Sequence, residues 1–366
     1  MADLVVSGGS RDVAIADGRV VAQAVPGAPH LDAAGLHVLP GLLDLQVNGA
    51  VGIDLTREPE RLWEVGAALP RFGVTAFLPT VITSAPGQRT RALAALTAGP
   101  PPGWAGAVPL GLHLEGPMIA PARKGAHPPA WLRPPSPALV AGWSRAAGVA
   151  MVTLAPELPG ALDVVAALTA SGVVVAVGHT EASAAQVAAA VERGARAVTH
   201  LGNAMPALAG RTPGPVGAAL ASPTLVAGVI ADGHHLDDTT LAAYAAALGD
   251  RLLLVTDTTA ALGVPDGPAR LGDQRVEVRD GTVRLADGTL AGSAADLAQC
   301  LRVLRRATGR SLPDAAAACT RVPADLLGDP TRGRLTPGAR GDLTLVDDDL
   351  AVVATVVGGR LLHGGS

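Results

Sequence analysis

The sequence predicts an α/β protein built on a (β/α)8 TIM-like barrel, with a small β-sandwich domain formed by the two ends of the chain. Three observations support this prediction. A strand-and-helix unit repeats through most of the 366 residues, its apolar runs are continuous, and both ends contain short strands and turns. Continuous apolar runs are typical of parallel strands buried on both faces, and eight such units favour a closed barrel.

Eight apolar runs rich in valine and leucine each end in a polar or Gly/Pro turn, and Ala-rich sequence with helical spacing follows. The runs are LLDLQVNG from Leu42, GVTAFLPT from Gly73, VPLGLHLEG from Val108, VAMVTLAPE from Val149, VVVAVGHT from Val173, RAVTHLGN from Arg196, LVAGVIADG from Leu225 and RLLLVTDT from Arg251. A doubly wound sheet is the alternative. That fold would require a glycine-rich phosphate loop after the first strand, where this sequence has Gln46-Val47-Asn48-Gly49.

The two ends carry short strands and hairpin signals such as Asp17-Gly18 and Gly358-Gly359. Neither end has enough strands to bury a core alone, so we expect residues 1–39 and 336–366 to form one β-sandwich. The barrel is then expected over 40–335, with a strand-rich insert at 264–293 after the eighth strand.

Composition excludes several classes of protein. The net charge of −4 gives no reason to expect nucleic acid or an anionic membrane as a partner. No signal peptide and no apolar stretch of the ~20 residues that a membrane helix needs can be recognised, so a cytoplasmic protein is expected. Cys300 and Cys319 lie in Ala-rich helical sequence and are expected to be reduced core residues.

Polar residues at the ends of the predicted strands are the candidate catalytic groups. Glu115 ends the third strand, His179 the fifth, His200 the sixth, and Asp257 the eighth, while His235 closely follows the seventh. Because the C-terminal ends of barrel strands converge on one mouth, these side chains are expected to share one site.

One carboxylate and two imidazoles form a suitable ligand set for a divalent transition metal, and three protein ligands leave a position open for water. Such a metal lowers the pKa of water from ~15.7 toward ~7. Asp257 is the candidate general base and acid. His235 could donate a hydrogen bond to a carbonyl oxygen as negative charge develops there.

Each of these residues also has a structural interpretation. A single strand-end histidine often makes only local hydrogen bonds, Glu115 could cap a helix, and Asp257 could be a helix N-cap. Four acidic or histidine residues at equivalent positions of one repeated unit favour the catalytic interpretation. His127, in a Pro-rich loop after the third strand, could contact substrate. Arg211, after the sixth strand, is either a solvated surface residue or an anion-binding residue.

The motifs resemble those of the N-acetylglucosamine-6-phosphate deacetylases, a family of the amidohydrolase superfamily, over nearly the whole chain. The matching segments, in order, are LPGLLDLQVNG (39–49), GLHLEGP (111–117), GHT (178–180), THLGNAM (199–205), ADGHH (231–235), LVTD (254–257) and LAGS (290–293). The paired motifs THLGNAM and LHLEGP are the most specific of these.

The resemblance implies hydrolysis of N-acetylglucosamine 6-phosphate to glucosamine 6-phosphate and acetate, in a homodimer. It implies metal ligation by Glu115, His179 and His200, Asp257 as general base and acid, and His235 as the group that polarises the acetyl carbonyl. It also implies substrate contacts from Ala126, His127, Asn203, Ala204, Arg211, His235, Leu290, Ala291 and Gly292.

The sequence departs from the superfamily at several positions. Gln46 and Asn48 stand where many amidohydrolases have the His-x-His pair that holds a second metal, so one divalent metal is expected. Zinc suits the ligand set, although Fe, Mn and Co accept it too. Gly202 replaces a commoner aromatic and removes a side chain near the mouth, and Thr258 replaces a frequent alanine. These two differences bear on substrate selectivity more than on the chemistry.

Two other functions remain open from the sequence. One is an amidohydrolase acting on another N-acyl or cyclic amide, and the other is a non-catalytic barrel that binds sugar phosphates. The residues do not distinguish between N-acetylglucosamine, N-acetylgalactosamine and N-acetylmannosamine phosphates.

Overall fold

The predicted fold class is confirmed by a computed structural model, which describes residues 3–364. Eight barrel strands follow one another in chain order, and each is parallel to the next. They are β1 (Leu42–Val47), β2 (Val74–Ile82), β3 (Leu112–Glu115), β4 (Val149–Leu154), β5 (Val174–Val177), β6 (Ala197–Val198), β7 (Val226–Ile230) and β8 (Leu252–Val255). A short strand, Val108–Pro109, also pairs with β2.

Nine α-helices lie in the described part of the chain. They are α1 (Leu62–Ala68), α2 (Pro86–Ala98), α3 (Ala161–Ala170), α4 (Ala184–Glu192), α5 (Gly214–Ala221), α6 (Asp238–Leu248), α7 (Leu297–Thr308), α8 (Leu312–Ala316) and α9 (Arg321–Leu326). Short 3₁₀ turns occupy Pro59–Arg61, Leu69–Phe72, Pro121–Arg123, Pro129–Trp131, Gly249–Arg251 and Ala317–Cys319. Within residues 3–364, no helix combines the length and apolar character needed to span a membrane.

The third unit departs from the repeat, because the described chain between β3 and β4 contains only 3₁₀ turns. This segment includes prolines at 121, 128, 129, 134, 135 and 137. Proline lacks the amide hydrogen of a helix interior and obstructs the preceding turn, so the chain forms a long loop instead. That loop covers part of the barrel mouth.

The two ends of the chain meet in a pair of four-stranded sheets. One sheet has the order Arg19–Val21, Val13–Ala16, Leu4–Ser7, His30–Asp32, and the other has Arg360–His363, Val352–Val357, Leu343–Val346, His37–Pro40. One buried cluster, which includes Val6, Ile15, Leu343 and Val356, draws on both sheets. Neither sheet could bury its apolar face alone.

A further four-stranded antiparallel sheet follows β8. Its strands are Gly267–Leu271, Gln274–Arg279, Thr282–Arg284 and Leu290–Ser293. The last of them returns to the barrel, where Ser293 N–H donates to the carbonyl oxygen of Asp257 at 2.9 Å and Ser293 Oγ donates to that of Thr256 at 2.6 Å. The insert is therefore bonded directly to the end of β8.

The barrel closes between β1 and β8 mainly through side chains, because no continuous ladder joins these two strands in the described chain. The buried carboxylate of Asp44 accepts hydrogen bonds from Thr256 Oγ1 at 2.5 Å and from the backbone of Thr256 and Gln46. Higher in the barrel, Asn48 N–H donates to the carbonyl oxygen of Thr258 at 2.7 Å. These bonds fix the relative positions of residues 44–48 and 256–258.

The burial of Asp44 predicts a specific dependence of stability on pH. Burial raises the pKa of the Asp44 carboxyl from 3.8 to about 7, against the opposing hydrogen bonds from Thr256 and Gln46. The folded state thus binds this proton more tightly than the unfolded state. The resulting stabilisation is complete below about pH 4 and is lost as the pH rises through about 7, a change on the order of 4 kcal/mol.

The variant Asp44→Asn keeps the size of the side chain and removes its titration. Its free energy of unfolding, measured with urea between about pH 4.5 and 7.5, should fall less with rising pH than that of the wild type. Asp163→Asn, a matched change on the exposed face of α3, should leave the wild-type slope intact. Equal slopes in the wild type and in Asp44→Asn would contradict this account of the barrel closure.

Candidate active site

A cavity of about 470 Å³ opens at the C-terminal ends of the barrel strands. The residues predicted from the sequence that line it are Glu115, Ala126, His127, His179, His200, Asn203, Ala204, His235, Asp257, Leu290, Ala291 and Gly292. Arg123, which forms an ion pair with Glu181, and Lys124, both from the loop after β3, also line the cavity. The barrel therefore brings together side chains that lie up to about 180 positions apart in the sequence.

Four of the non-glycine residues among these share an uncommon backbone conformation. The φ angles of His179, His200, Ala204 and Asp257 are 49°, 32°, 51° and 52°, in the left-handed region that most non-glycine residues avoid. His179, His200 and Asp257 each follow a barrel strand, where the chain turns sharply. Such conformations cost about 1–3 kcal/mol each and concentrate at functional sites, where the surrounding fold maintains them.

Glu115, His179 and His200 converge on one point. Glu115 Oε1 lies 3.0 Å from His179 Nε2 and 3.1 Å from His200 Nε2, and the two nitrogens are 3.1 Å apart. All three side chains are buried, and their ligand atoms lie within 4.8 Å of one another. This spacing suits three ligands that share one cation.

The protonation of these groups supports the same interpretation. His179 Nδ1 lies 2.7 Å from the carbonyl oxygen of Arg123, which can only accept, so Nδ1 carries the hydrogen and Nε2 presents a lone pair in the neutral ring. Burial acts to raise the pKa of Glu115, but the two imidazoles outweigh it and hold that pKa well below its ordinary value. A proton on an imidazole, or one cation shared by the three groups, would relieve the repulsion between the carboxylate and the ring lone pairs, and the set fits a divalent transition metal.

Asp257 lies beside this cluster and is held by two side-chain amides. Its Oδ1 accepts hydrogen bonds from Gln46 Nε2 at 2.9 Å and from Asn48 Nδ2 at 2.7 Å. Burial, together with the charge of Glu115, raises the pKa of Asp257 from 3.8 to about 6. A carboxyl group with a pKa this close to neutrality can both accept and release a proton.

His235 is oriented by a buried carboxylate. Its Nδ1 lies 2.7 Å from Asp232 Oδ2, and the backbone N–H groups of His234 and His235 donate to Asp232 Oδ1 at 2.9 Å. Burial acts to raise the pKa of Asp232, but the hydrogen bond from His235 outweighs it and the pKa is lowered. With Nδ1–H bonded to Asp232, the ring can donate from Nε2 only when both nitrogens are protonated.

The remaining cavity wall contains two side chains that can donate hydrogen bonds and a glycine whose backbone lies close to Asp257. His127 is buried, with Nδ1 2.8 Å from Thr83 Oγ1 and 3.3 Å from the Thr83 backbone nitrogen, so its hydrogen is on Nε2. Asn203 Nδ2 is buried with no partner among the described residues. Gly292 has φ 75°, and a Cβ there would lie 2.8 Å from the Asp257 carbonyl oxygen, so only glycine allows this close approach.

Two residues that were expected from the sequence to lie at or near the site do not line the cavity. Arg211 lies in an exposed loop and is not among the residues that line this cavity, so its contact with substrate stays a prediction. Gly202 also does not line the cavity. A Cβ at Gly202 would lie 3.1 Å from Tyr244 Oη and 3.2 Å from Leu236 Cδ2, so these side chains already occupy the space beside it.

Sequence reasoning missed the groups that orient the catalytic side chains. Gln46 and Asn48 were interpreted only as replacements for a second pair of metal ligands, whereas both donate to Asp257. No role was predicted for Asp232, which lies in the ADGHH segment (231–235). Its spacing of three residues from His235 was the available signal. No sequence signal could have identified the contact from the Arg123 carbonyl, because a backbone contact does not depend on residue type.

Comparisons with known proteins agree with this geometry. A family model described as the amidohydrolase family matches residues 37–362. N-acetylglucosamine-6-phosphate deacetylase of Rattus norvegicus is 39% identical over 350 residues, covering 90% of this chain and 84% of that protein. The Bacillus subtilis (strain 168) enzyme of the same name is 37% identical over 334 residues, covering 88% of this chain and 84% of that protein.

Solved structures of the same enzyme are also similar. The enzyme from Pasteurella multocida superposes with a TM-score of 0.91 at 28% identity, over 98% of this chain and 99% of that one. A mutant from Mycobacterium smegmatis in complex with N-acetyl-D-glucosamine-6-phosphate gives a TM-score of 0.87 at 34% identity, over 99% of both chains.

Proposed function

The chain belongs to the amidohydrolase family and, within it, to the N-acetylglucosamine-6-phosphate deacetylases, and from this premise we propose how its residues hydrolyse the N-acetyl amide of that sugar phosphate. The products are acetate and glucosamine 6-phosphate. The observation that carries the proposal is the placement of Asp257 beside the converging Glu115, His179 and His200 in the cavity.

Glu115, His179 and His200 would hold one divalent metal, for which zinc suits the nitrogen and oxygen donors best. A cation there supplies a water of lowered pKa and polarises a carbonyl oxygen. The Arg123 carbonyl keeps the His179 lone pair on Nε2. Outer contacts of this kind orient a ligand and affect metal affinity.

Asp257 moves the proton. Its carboxylate, which accepts hydrogen bonds from two side-chain amides, takes a proton from the attacking water. A C–O bond forms at the acetyl carbon, the C–N bond breaks, and Asp257 delivers the proton to the departing amine nitrogen. His235, held by Asp232, donates from Nε2 to the carbonyl oxygen as negative charge develops on it.

Substrate contacts are proposed for Ala126, His127, Asn203, Ala204, Leu290, Ala291 and Gly292, which line the cavity. The phosphate is the group that Arg211 would bind. Arg211 does not line the cavity of its own chain, and Leu208 of the same loop is 53% exposed. We therefore propose a homodimer whose interface includes this loop.

A charged sugar phosphate does not cross membranes freely, so a cytoplasmic location is proposed as well.

Acetate release from a panel of N-acetyl sugars, with and without a 6-phosphate, tests the function. We expect the fastest turnover with N-acetylglucosamine 6-phosphate. Asp257→Asn keeps the shape but cannot exchange the proton, so its kcat should fall at least about 100-fold while the metal content stays unchanged. Turnover of an unphosphorylated N-acyl or cyclic amide alone would assign another substrate, and full activity of Asp257→Asn would refute its role.

The phosphate contact has its own test. Because charge-assisted hydrogen bonds contribute about 1.5–3 kcal/mol, Arg211→Ala should lower kcat/KM for the phosphorylated sugar roughly 10- to 100-fold. It should change kcat/KM for the unphosphorylated sugar little. Arg193→Ala, a matched change at an exposed site after α4, should have no effect. An unchanged kcat/KM for the phosphorylated sugar in Arg211→Ala would remove this residue from the site.

A further inference from the structure

The carboxylate of Asp257 is bonded asymmetrically. Gln46 and Asn48 both donate to Oδ1, at 2.9 and 2.7 Å, and no hydrogen bond within residues 3–364 involves Oδ2. Asp257 is also one of the residues that line the cavity. Two donors on one oxygen favour negative charge on that oxygen, so a proton is more stable on the other.

We propose that Gln46 and Asn48 are positioning residues that hold Oδ1 of Asp257, so that Oδ2 alone exchanges the proton during hydrolysis. This inference rests on the proposed function and specifies which oxygen of Asp257 exchanges the proton. Neither amide is proposed to touch the substrate. Their effect on the reaction passes through Asp257.

The orientation of both amides is set by nearby charge. Gln46 Nε2 also lies 3.4 and 3.5 Å from the two oxygens of Glu115, so one NH₂ group faces two carboxylates. Asn48 Oδ1 is buried with no partner among the described residues, an arrangement that is unfavourable by itself. Rotating either amide would place its carbonyl oxygen against a carboxylate, so the charge-assisted bonds to Asp257 outweigh that cost.

The backbone around the pair limits how the amides can move. Gln46 N–H donates to Asp44 Oδ1 at 3.1 Å, and the same carboxylate binds Thr256 at 2.5 Å. Asn48 N–H donates to the carbonyl oxygen of Thr258 at 2.7 Å. The segments that carry the donors and the acceptor are thus joined on both sides of Asp257, which keeps the bonds to Oδ1 short.

A double-mutant cycle tests whether the amides act through Asp257. Gln46→Met and Asn48→Leu remove the donors at similar size and add no charge. Each should lower kcat at least about 10-fold, with KM changed less than about 3-fold and the metal content preserved. In the Asp257→Asn background the same substitutions should cause no further loss, because the group they position no longer exchanges a proton. Gln88→Met, on α2 and not among the residues that line the cavity, is the matched control and should behave like the wild type.

Several outcomes would overturn the inference. Wild-type kcat in Gln46→Met and Asn48→Leu would do so, and so would a further 10-fold loss when either is added to Asp257→Asn. If an apolar variant fails to fold, Gln46→Asn provides a second test of the positioning role. It keeps the amide but withdraws the donor from Asp257 by about one bond length, so it should show the same loss of kcat. A wild-type protein that releases no acetate would refute the proposed function instead.

Discussion

The convergence of Glu115 Oε1 with two imidazole nitrogens is the interaction on which the rest of the site depends. Lone pairs brought within about 3 Å of one another in a buried setting repel, and a shared cation relieves that repulsion. The protein contributes the geometry in advance, because β5 and β6 are neighbours in one parallel sheet and a single strand, β4, separates β3 from β5. Each ligand is therefore fixed by the barrel rather than by a mobile loop.

The same barrel closes in a way that serves the chemistry. A regular ladder between β1 and β8 would direct backbone groups toward each other, whereas here the carboxylate of Asp44 and the amides of Gln46 and Asn48 make the connection. Asp257 then lies at a junction held by side chains. This arrangement explains why a left-handed backbone is maintained at Asp257, since the bonds around it offset the local strain.

Much of this site was predictable from residue types at repeated positions. Glu115, His179, His200 and Asp257 end apolar strands, and the symmetry of the barrel converts that shared sequence position into spatial proximity. The absence of histidine at Gln46 and Asn48 was equally visible. Their role as donors was not, because a pattern of residues does not show which way an amide faces.

Other features depend on tertiary packing that no local pattern encodes. The left-handed φ angles, the Arg123 carbonyl on His179 and the packing of Tyr244 beside Gly202 all arise where distant segments meet. The loop that replaces the third helix was partly predictable, since its prolines are present in the sequence. Ala126 and His127 of this loop, both expected from the sequence to contact substrate, line the cavity.

The most direct test of the account is a titration of metal-free protein with zinc while acetate release from N-acetylglucosamine 6-phosphate is followed. One ligand set of Glu115, His179 and His200 predicts that the rate rises linearly up to one equivalent of zinc per chain and then stays constant. Full activity without added metal, or a rate that reaches its plateau only at two equivalents, would contradict it.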